Sequence, residues 1–223
     1  MVWNALPTFF RGAAVTLALA VSSVAVGMLL GIPIGIGHVC ASRPVRTMLW
    51  SFDRVFRGFP AIVLLFLAFF GASGLPGVRI PPFAAVVIAL GLRSAAYQGQ
   101  IYRGALAMVE RGQVEAARAL GFSMPRTMWH VQLPQAARFS LPSLSNEYSV
   151  VLKDTALAFT VGVVDLMSRA KFLAMRSREI LAAYLLVAVF YFVLTYAGIG
   201  LFRLVERSVA IPGLGRHGTR RIG

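Results

Sequence analysis

The chain has 223 residues, of which 58% are hydrophobic and only 13% are charged. Soluble domains carry about 25% charged residues, so an ordinary soluble domain is excluded, and the apolar content excludes a disordered chain. The formal net charge is +14, and a single cysteine, Cys40, excludes an internal disulfide and a Cys-based zinc site. The composition therefore indicates a basic, polytopic membrane protein.

Long stretches without a charged residue mark the candidate membrane spans. Residues 12–42, 58–78 and 180–202 carry no charge, and a membrane helix needs about 20 mostly apolar residues. Two further intervals are interrupted by only a few charges. The first stretch lacks the small-residue cleavage site of a signal peptide, so we expect a permanent helix there. We predict an all-α fold, a single domain over 1–223, with five transmembrane helices at about 12–38, 52–72, 82–106, 136–162 and 179–205.

The fourth predicted span is the least regular of the five. It contains Pro142, a Ser/Asn cluster, and the charged residues Glu147, Lys153 and Asp154. Polar or irregular backbone at membrane depth is tolerated only where it is buried in protein or lines a water-filled cavity. We therefore expect this helix to face a pathway or a partner protein.

The distribution of Lys and Arg predicts the orientation of the chain. Of the 22 basic residues, 14 fall on the side of the loops 1–2 and 3–4 and the C-terminus, 6 fall on the opposite side, and Arg93 and Lys153 lie within spans. The positive-inside rule places the majority side in the cytoplasm, which gives an N-out, C-in topology. The loop 165–178 is the weakest point, because it places four positive charges outside. Since the arginines lie at helix ends and not on one soluble domain, we expect the lipid bilayer and no nucleic acid as a partner.

The longest polar segment, residues 107–135, is predicted to form a compact cytoplasmic loop. Val114, Ala117, Leu120 and Gly121 recur at helical spacing and are expected to share one helix face, with Glu115 and Arg118 on the other. Gly121 is expected to end this helix, and Pro125 suits the start of a second short helix over 125–131. The segment either lies on the lipid headgroups or docks onto a soluble partner.

The spacing within this loop resembles a known docking signature. Glu115-Ala116-Ala117, three residues, Gly121, nine residues, Val131, one residue and Leu133-Pro134 are similar to the EAA signature of ABC importer permeases. Val131 replaces the usual Ile, which is a conservative change at an apolar position. The resemblance implies that the coupling loop 110–134 docks onto an ATPase through seven residues: Glu115, Ala116, Ala117, Arg118, Gly121, Leu133 and Pro134.

The resemblance extends to the polar amino acid (His/Glu/Gln/Arg/opine) permeases of type I ABC importers. It covers nearly the whole chain and includes 57–60 (Arg-Gly-Phe-Pro), 94–97 (Ser-Ala-Ala-Tyr) and 152–155 (Leu-Lys-Asp-Thr). Gln100 departs from this pattern, because the family usually has Glu there. Such permeases act in pairs, identical or not, in the bacterial inner membrane, with two cytoplasmic ATP-binding subunits and an external solute-binding protein.

The chain itself is expected to bind no cofactor. It contains no Gly-Lys dipeptide and hence no Gly-x-x-x-x-Gly-Lys-Ser/Thr loop to cradle ATP phosphates. We therefore expect a permease that is not an enzyme, with ATP and Mg on the partner ATPase. The alternative is a membrane-embedded enzyme, which would need a catalytic set such as a His beside a carboxylate. His38, His130 and His217 have no metal-ligand spacing and are expected at surfaces or interfaces.

Ionisable residues within spans are candidates for the substrate pathway, because they are costly at membrane depth unless they are paired or hydrated. Glu147 could bind the ammonium group of an amino acid, and Arg93 or a helix end could bind its carboxylate. Arg93 could instead pair permanently with Glu147 or snorkel to the surface, and Lys153 could simply neutralise Asp154. The candidate pathway residues are Arg93, Tyr97, Ser143, Asn146, Glu147, Lys153 and Asp154.

Overall fold

The computed structural model describes residues 2–71, 74, 77, 79–177 and 179–209 of the chain, with side chains from residue 6 onward. Within these residues the structure is helical, and the sequence predicted that fold class. The helices are α1 (Val2–Cys40), α2 (Arg43–Gly58), α3 (Ala61–Phe66), α4 (Pro82–Ala107), α5 (Arg111–Ala119), α6 (Met124–Thr127), α7 (Leu133–Asp154), α8 (Leu166–Ser177) and α9 (Ile180–Val209).

Two of these helices, over 6–40 and 180–209, are long and apolar enough to cross a membrane. The segments 43–58 and 61–71 are bent by 104° relative to each other. They make a third candidate span if the two are counted together as one broken span. Helices of 26 and 22 residues, α4 and α7, occupy the third and fourth predicted spans. The count of five spans stays a prediction.

The second predicted span, 52–72, is not one continuous helix. Pro60 forces the preceding residue, Phe59, into an extended conformation (φ −87°, ψ 142°), so α2 ends at Gly58. The chain then resumes as α3 and a π-helical turn, Leu67–Gly71. The break therefore has a local cause that is visible in the sequence as a proline.

The fourth predicted span, 136–162, also changes its helical form. The α-helix α7 ends at Asp154, and a 3₁₀-helix continues over Thr155–Val161. Gly162 follows in the left-handed region (φ 91°) and turns the chain towards α8. The segment 165–178, expected as a loop, is helical over Leu166–Ser177 and packs against the first and last long helices, with Leu166 and Ala170 fully buried.

The first and fourth helices, α1 and α4, pack in parallel with their backbones unusually close. Small residues make this possible, because a methyl group on Gly31 would lie 2.8 Å from Cβ of Gln98 and one on Gly35 would lie 2.6 Å from Cβ of Tyr102. Glycines spaced by four residues are the common device for close helix approach in membranes. This pair forms the scaffold against which α2, α3 and α7 are placed.

Apolar clusters fix the two ends of the bundle. Leu65, Val86 and Leu90 meet near the start of α4, where α3 packs. Ala105, Met128 and further apolar residues meet near its end, where the coupling loop begins. The last helix, α9, keeps an exposed apolar surface that includes Leu181, Leu185, Val189, Phe192 and Leu201.

Candidate functional site: the coupling loop and an intramembrane polar cluster

The coupling loop is built from two short helices joined by a glycine turn. α5 ends at Ala119, and Gly121 adopts φ 85° as expected. The N–H of Gly121 donates to the carbonyl of Arg118 (2.9 Å), and the N–H of Phe122 donates to that of Ala117 (3.1 Å). This pair of bonds is a Schellman motif, which stops a helix sharply and satisfies its last carbonyls.

The loop is anchored to the bundle on one side and exposed on the other. Met128 is buried with Ala105 and Ala136, and Leu133 packs against this cluster. The side-chain amide of Gln135 on α7 donates to Gln113 Oε1 on α5 at 2.5 Å. The loop is therefore held to the ends of α4 and α7 by both apolar and polar contacts.

The predicted docking residues fall into two groups: some hold the loop to the helix bundle, and the others are exposed on its surface. Ala117 is buried and Leu133 is partly buried, so both hold the loop in place. The others are exposed: Glu115, Ala116, Arg118, Gly121 and Pro134.

The predicted helix face of the coupling loop is buried at one end and exposed at the other. On the predicted face, Ala117 is buried and Val114 is partly buried, whereas Leu120, just past the end of α5, is 80% exposed. Trp129 and Met124 are also exposed, at 66% and 49%. These three exposed apolar side chains on one polar loop are available for contact with a partner protein.

The intramembrane charges form a different pairing from the one expected. Arg93 on α4 donates to Asp154 at the end of α7 (2.5 Å), so Asp154 is not neutralised by its neighbour Lys153, which is exposed. Glu147 is 5% exposed, and its Oε1 accepts from Ser94 Oγ at 2.8 Å. The Arg93–Glu147 pair considered from the sequence is therefore replaced by two separate contacts between α4 and α7.

A chain of hydrogen bonds continues from Glu147 along α4. Gln98 donates through its amide to Ser94 Oγ and to the carbonyl of Val24, both at 3.1 Å, and Tyr102 donates to Gln98 Oε1 at 3.2 Å. Because each buried polar group has a partner, the network is compatible with membrane depth. It fixes the position of the Glu147 carboxylate.

Two arginines converge on one aromatic ring beside this network. The guanidinium carbons of Arg57 and Arg93 lie 4.9 Å and 5.1 Å from the ring centroid of Tyr97. Cations over a Tyr ring within about 6 Å are attracted by its π face. Arg57 was not a predicted pathway residue, although it adjoins Pro60, whose effect on the chain brings α2 close to Tyr97.

The candidate pathway residues Ser143, Asn146 and Glu147 of α7 do not lie together in the fold. Glu147 points to α4, whereas Ser143 and Asn146 are exposed, and Asn146 faces α9. The structure thus joins Arg93, Tyr97, Glu147 and Asp154 and leaves Ser143, Asn146 and Lys153 outside that group.

The sequence interpretation missed a buried cluster at the other end of α4. His38 Nε2 and Asp53 Oδ2 lie 2.7 Å apart, and their side chains are 0% and 2% exposed. The amide of Gln100 donates to the same oxygen at 2.5 Å, and Arg103 Nε donates to Gln100 Oε1 at 2.8 Å. His38, expected at a surface or an interface, is therefore not a surface residue but lies buried where α1, α2 and α4 meet. The signal was available, because Asp53 is the one acid in a segment with four arginines and lies within the predicted span 52–72.

The other histidines do not contribute to this cluster. His130 is exposed on the coupling loop, as expected, and His217 lies outside the described residues. In the part of the chain that the structure describes, no group of three His, Cys, Asp or Glu residues could hold a metal ion.

Comparisons with known proteins agree on one family. The profile of the family described as "Binding-protein-dependent transport system inner membrane component" matches residues 27–211. The chain is 37% identical over 207 residues to the histidine/lysine/arginine/ornithine transport system permease protein HisM of Salmonella typhimurium, covering 89% of this chain and 88% of that one. It is 32% identical over 204 residues to the arginine transport system permease protein ArtQ of Bacillus subtilis, covering 92% and 93%. A solved structure of an amino acid ABC transporter with histidines superposes with a TM-score of 0.85, at 34% identity, covering 93% and 96%.

Proposed function

The chain belongs to the family of binding-protein-dependent transport system inner membrane components, and on this premise we propose that it is the permease subunit of an ABC importer for a polar amino acid. The amino acid cargo follows from the printed functions of its relatives, which transport histidine, lysine, arginine, ornithine or arginine alone. As a member of this family the chain is a multi-pass protein of the inner membrane and acts as a transport subunit.

The observation that carries the proposal is the coupling loop. A rigid two-helix loop, stopped by a Schellman turn at Gly121, is anchored in the bundle by Met128 and presents Leu120 and Trp129 outward. A loop that simply rested on headgroups would not need an anchor of this kind. We infer that it seats in a groove on a cytoplasmic ATPase subunit.

The arrangement also supports a mechanical role for the loop. It joins the end of α4 to the start of α7, and these are the two helices that hold Arg93, Glu147 and Asp154 between them. Movement of the loop as one body would shift α4 against α7 and alter their polar contacts. ATP-driven closure of the ATPase subunits would in this way alternate the access of the pathway between the two sides of the membrane.

The partners follow from this mechanism. Two ATP-binding subunits hold ATP and Mg. A second permease, either an identical chain or a sister chain, completes the pathway. An external solute-binding protein delivers the amino acid. This chain contributes no phosphate-binding loop. Its role in the ATPase cycle is docking.

We place the amino acid at the polar cluster between α4 and α7. The carboxylate of Glu147 suits the ammonium group, and the paired arginines Arg57 and Arg93 at Tyr97 suit the carboxylate. Arg57 has no ion-pair partner among the described residues, so it is available to a ligand. The fixed network behind Glu147 keeps its carboxylate in place during passage.

The alternative of a membrane-embedded enzyme receives no support from the histidine–carboxylate pair found among the described residues. His38 and Asp53 are enclosed between three helices, with 0% and 2% side-chain exposure, and neither can reach a substrate. The pair is best explained as a structural link between α1 and α2.

Reconstitution tests the proposal directly. The permease, purified with its ATPase subunits, is placed in proteoliposomes, and ATP-dependent uptake of radiolabelled histidine, arginine, glutamine and glutamate is measured with the binding protein present. We expect uptake of at least one of these, and a Glu147→Gln variant is expected to raise the apparent KM about tenfold or more, because a charge-assisted hydrogen bond is lost. Uptake of none of them by the wild type would refute the amino acid assignment. An unchanged KM in the variant would refute the role of Glu147 alone.

A further inference from the structure

A polar cleft lies between α7 and α9, away from the Glu147 cluster. Its volume is about 260 Å³, which is enough to admit an amino acid of modest size. Four residues of each helix line it: Pro142, Ser145, Asn146 and Ser149 on α7, and Ile199, Phe202, Arg203 and Glu206 on α9.

The cleft contains one positive and one negative charge on the same helix face. Arg203 and Glu206 are three residues apart on α9, so their side chains leave the helix as neighbours. Neither forms an ion pair with the other or with any other described residue, and both are exposed. An adjacent guanidinium and carboxylate without mutual contact form a complementary pair for a ligand that carries both charges.

The opposite wall supplies neutral hydrogen-bonding groups. The Asn146 side chain has no hydrogen-bond partner among the described residues, and Ser149 Oγ donates to the carbonyl of Ser145 at 3.0 Å, which leaves its oxygen free to accept. Pro142 lacks an N–H, so the carbonyl of Arg138, four residues earlier, is without its usual helical donor. These groups add acceptors beside the two charges.

The cleft and the Glu147 cluster are separated by the thickness of one helix. Glu147 contacts Ser94 on α4, whereas the preceding residue, Asn146, faces α9. Arg203 and Glu206 lie in the last two turns of α9, at the end that the positive-inside rule assigns to the cytoplasm.

We propose that this cleft is a second amino acid site, on the cytoplasmic side, where the transported zwitterion binds before release. The inference rests on the proposed transport function and adds a second binding step to it. The α-carboxylate binds Arg203, and the α-ammonium group binds Glu206. The Asn146 amide forms a hydrogen bond with either group. Phe202 and Ile199 contact the side chain of the amino acid. Amino acid that accumulates in the cytoplasm refills the cleft and slows import.

The test uses the importer assembled with its ATPase subunits in phosphatidylcholine nanodiscs, without ATP or binding protein. Equilibrium binding of L-[³H]histidine and L-[³H]arginine is measured in a Glu147→Gln background, which weakens binding at the central cluster. We expect saturable binding that Arg203→Gln and Glu206→Gln each weaken about tenfold or more. Arg207→Gln removes a neighbouring charge of α9 that does not line the cleft, and it should leave binding unchanged. A charge-exchanged variant, Arg203→Glu with Glu206→Arg, should recover part of the binding, which would exclude misfolding as the cause.

A lipid headgroup with a phosphate and an ammonium group carries the same paired charges. The measurement is therefore repeated with phosphatidylethanolamine added to the nanodiscs. If no amino acid binds in phosphatidylcholine and phosphatidylethanolamine is retained in an Arg203-dependent manner, the amino acid site is overturned in favour of a lipid site. Equal binding by the wild type and both Gln variants, with normal ATP-dependent uptake, overturns the cleft and leaves the transport function standing. Absence of uptake by the wild type overturns the transport function itself.

Discussion

The glycine turn of the coupling loop allows docking to be separated from folding. Gly121 has φ 85°, and no atom lies within 4 Å of the position that a Cβ would occupy. A side chain at this position therefore meets no steric obstacle within the chain, but it forces an L-residue into the left-handed region. The backbone penalty and the length of the side chain can consequently be varied independently.

The magnitude of the backbone penalty is similar for alanine and leucine. A left-handed conformation costs an ordinary L-residue about 1–2 kcal/mol, which lowers the population of the turn about five- to thirty-fold relative to its alternatives. Asparagine tolerates the conformation better, so its penalty is smaller. Gly121→Ala and Gly121→Leu therefore share a backbone cost, and only leucine projects an isobutyl group towards the partner.

The assay compares Gly121→Asn, Gly121→Ala and Gly121→Leu in proteoliposomes for amino acid uptake and for substrate-stimulated ATP hydrolysis, with co-purification of the ATPase as a third measurement. If Gly121 seats against the ATPase, the uptake per ATP hydrolysed should fall little for Asn, moderately for Ala and almost completely for Leu. Gly112 in α5, the helix that precedes the Gly121 turn, also has open space around it, so Gly112→Leu is the matched control and should leave coupling unchanged. Equal losses for Ala and Leu would show that backbone strain explains the effect. Normal co-purification and normal stimulated hydrolysis in Gly121→Leu would refute the docking role of this glycine.

Three further predictions concern stability, measured as thermal unfolding of the purified permease. Gly31→Ala should cost about 1–3 kcal/mol, because its methyl group would overlap Gln98, whereas Gly104→Ala, which has open space, should cost little. Asp53→Ala should cost about 1–3 kcal/mol, since it leaves the buried His38 ring and the Gln100 amide without their acceptor, and a loss below about 0.5 kcal/mol would show that the pair with His38 is dispensable. Burial raises the pKa of Asp165, although hydrogen bonds from Ser168 oppose this shift, so wild-type stability should fall as pH rises through the raised pKa. Asp165→Asn keeps the acceptor that caps α8 and should remove this pH dependence, whereas an unchanged pH profile would contradict the assignment.

The local features of the coupling loop were predictable because they depend on residues close in the chain. The helix that contains Glu115, its end at Gly121, and the resemblance to the EAA signature all arise from spacings of a few residues. Pro60 is a similar case, since a proline restricts its own predecessor, and the break at Phe59 follows without any tertiary contact. The span 52–72 was predicted as continuous because hydropathy was given more weight than this local signal.

The pairing of distant charges could not be predicted in this way. Arg93 is 61 residues from Asp154 and 54 from Glu147, and both acids were available as partners. The choice depends on the angle at which α4 and α7 cross and on the side of α7 that each residue occupies. The burial of His38 beside Asp53 likewise requires the close approach of α1, α2 and α4.

The sequence by itself determined that the chain is a helical membrane protein, which end of each helix is more basic, and where a loop that resembles the EAA signature of a permease family lies. These properties are sums or local patterns: hydropathy over about 20 residues, counts of arginine, and fixed offsets within one loop. Only the tertiary structure decided that Arg93 binds Asp154, that Glu147 and Asn146 serve opposite sides of one helix, and that Arg203 and Glu206 face a cleft. The reason is that the packing of helices depends on shape complementarity between side chains far apart in the chain, such as the glycines of α1 against α4, and no periodicity within a single helix specifies its neighbour.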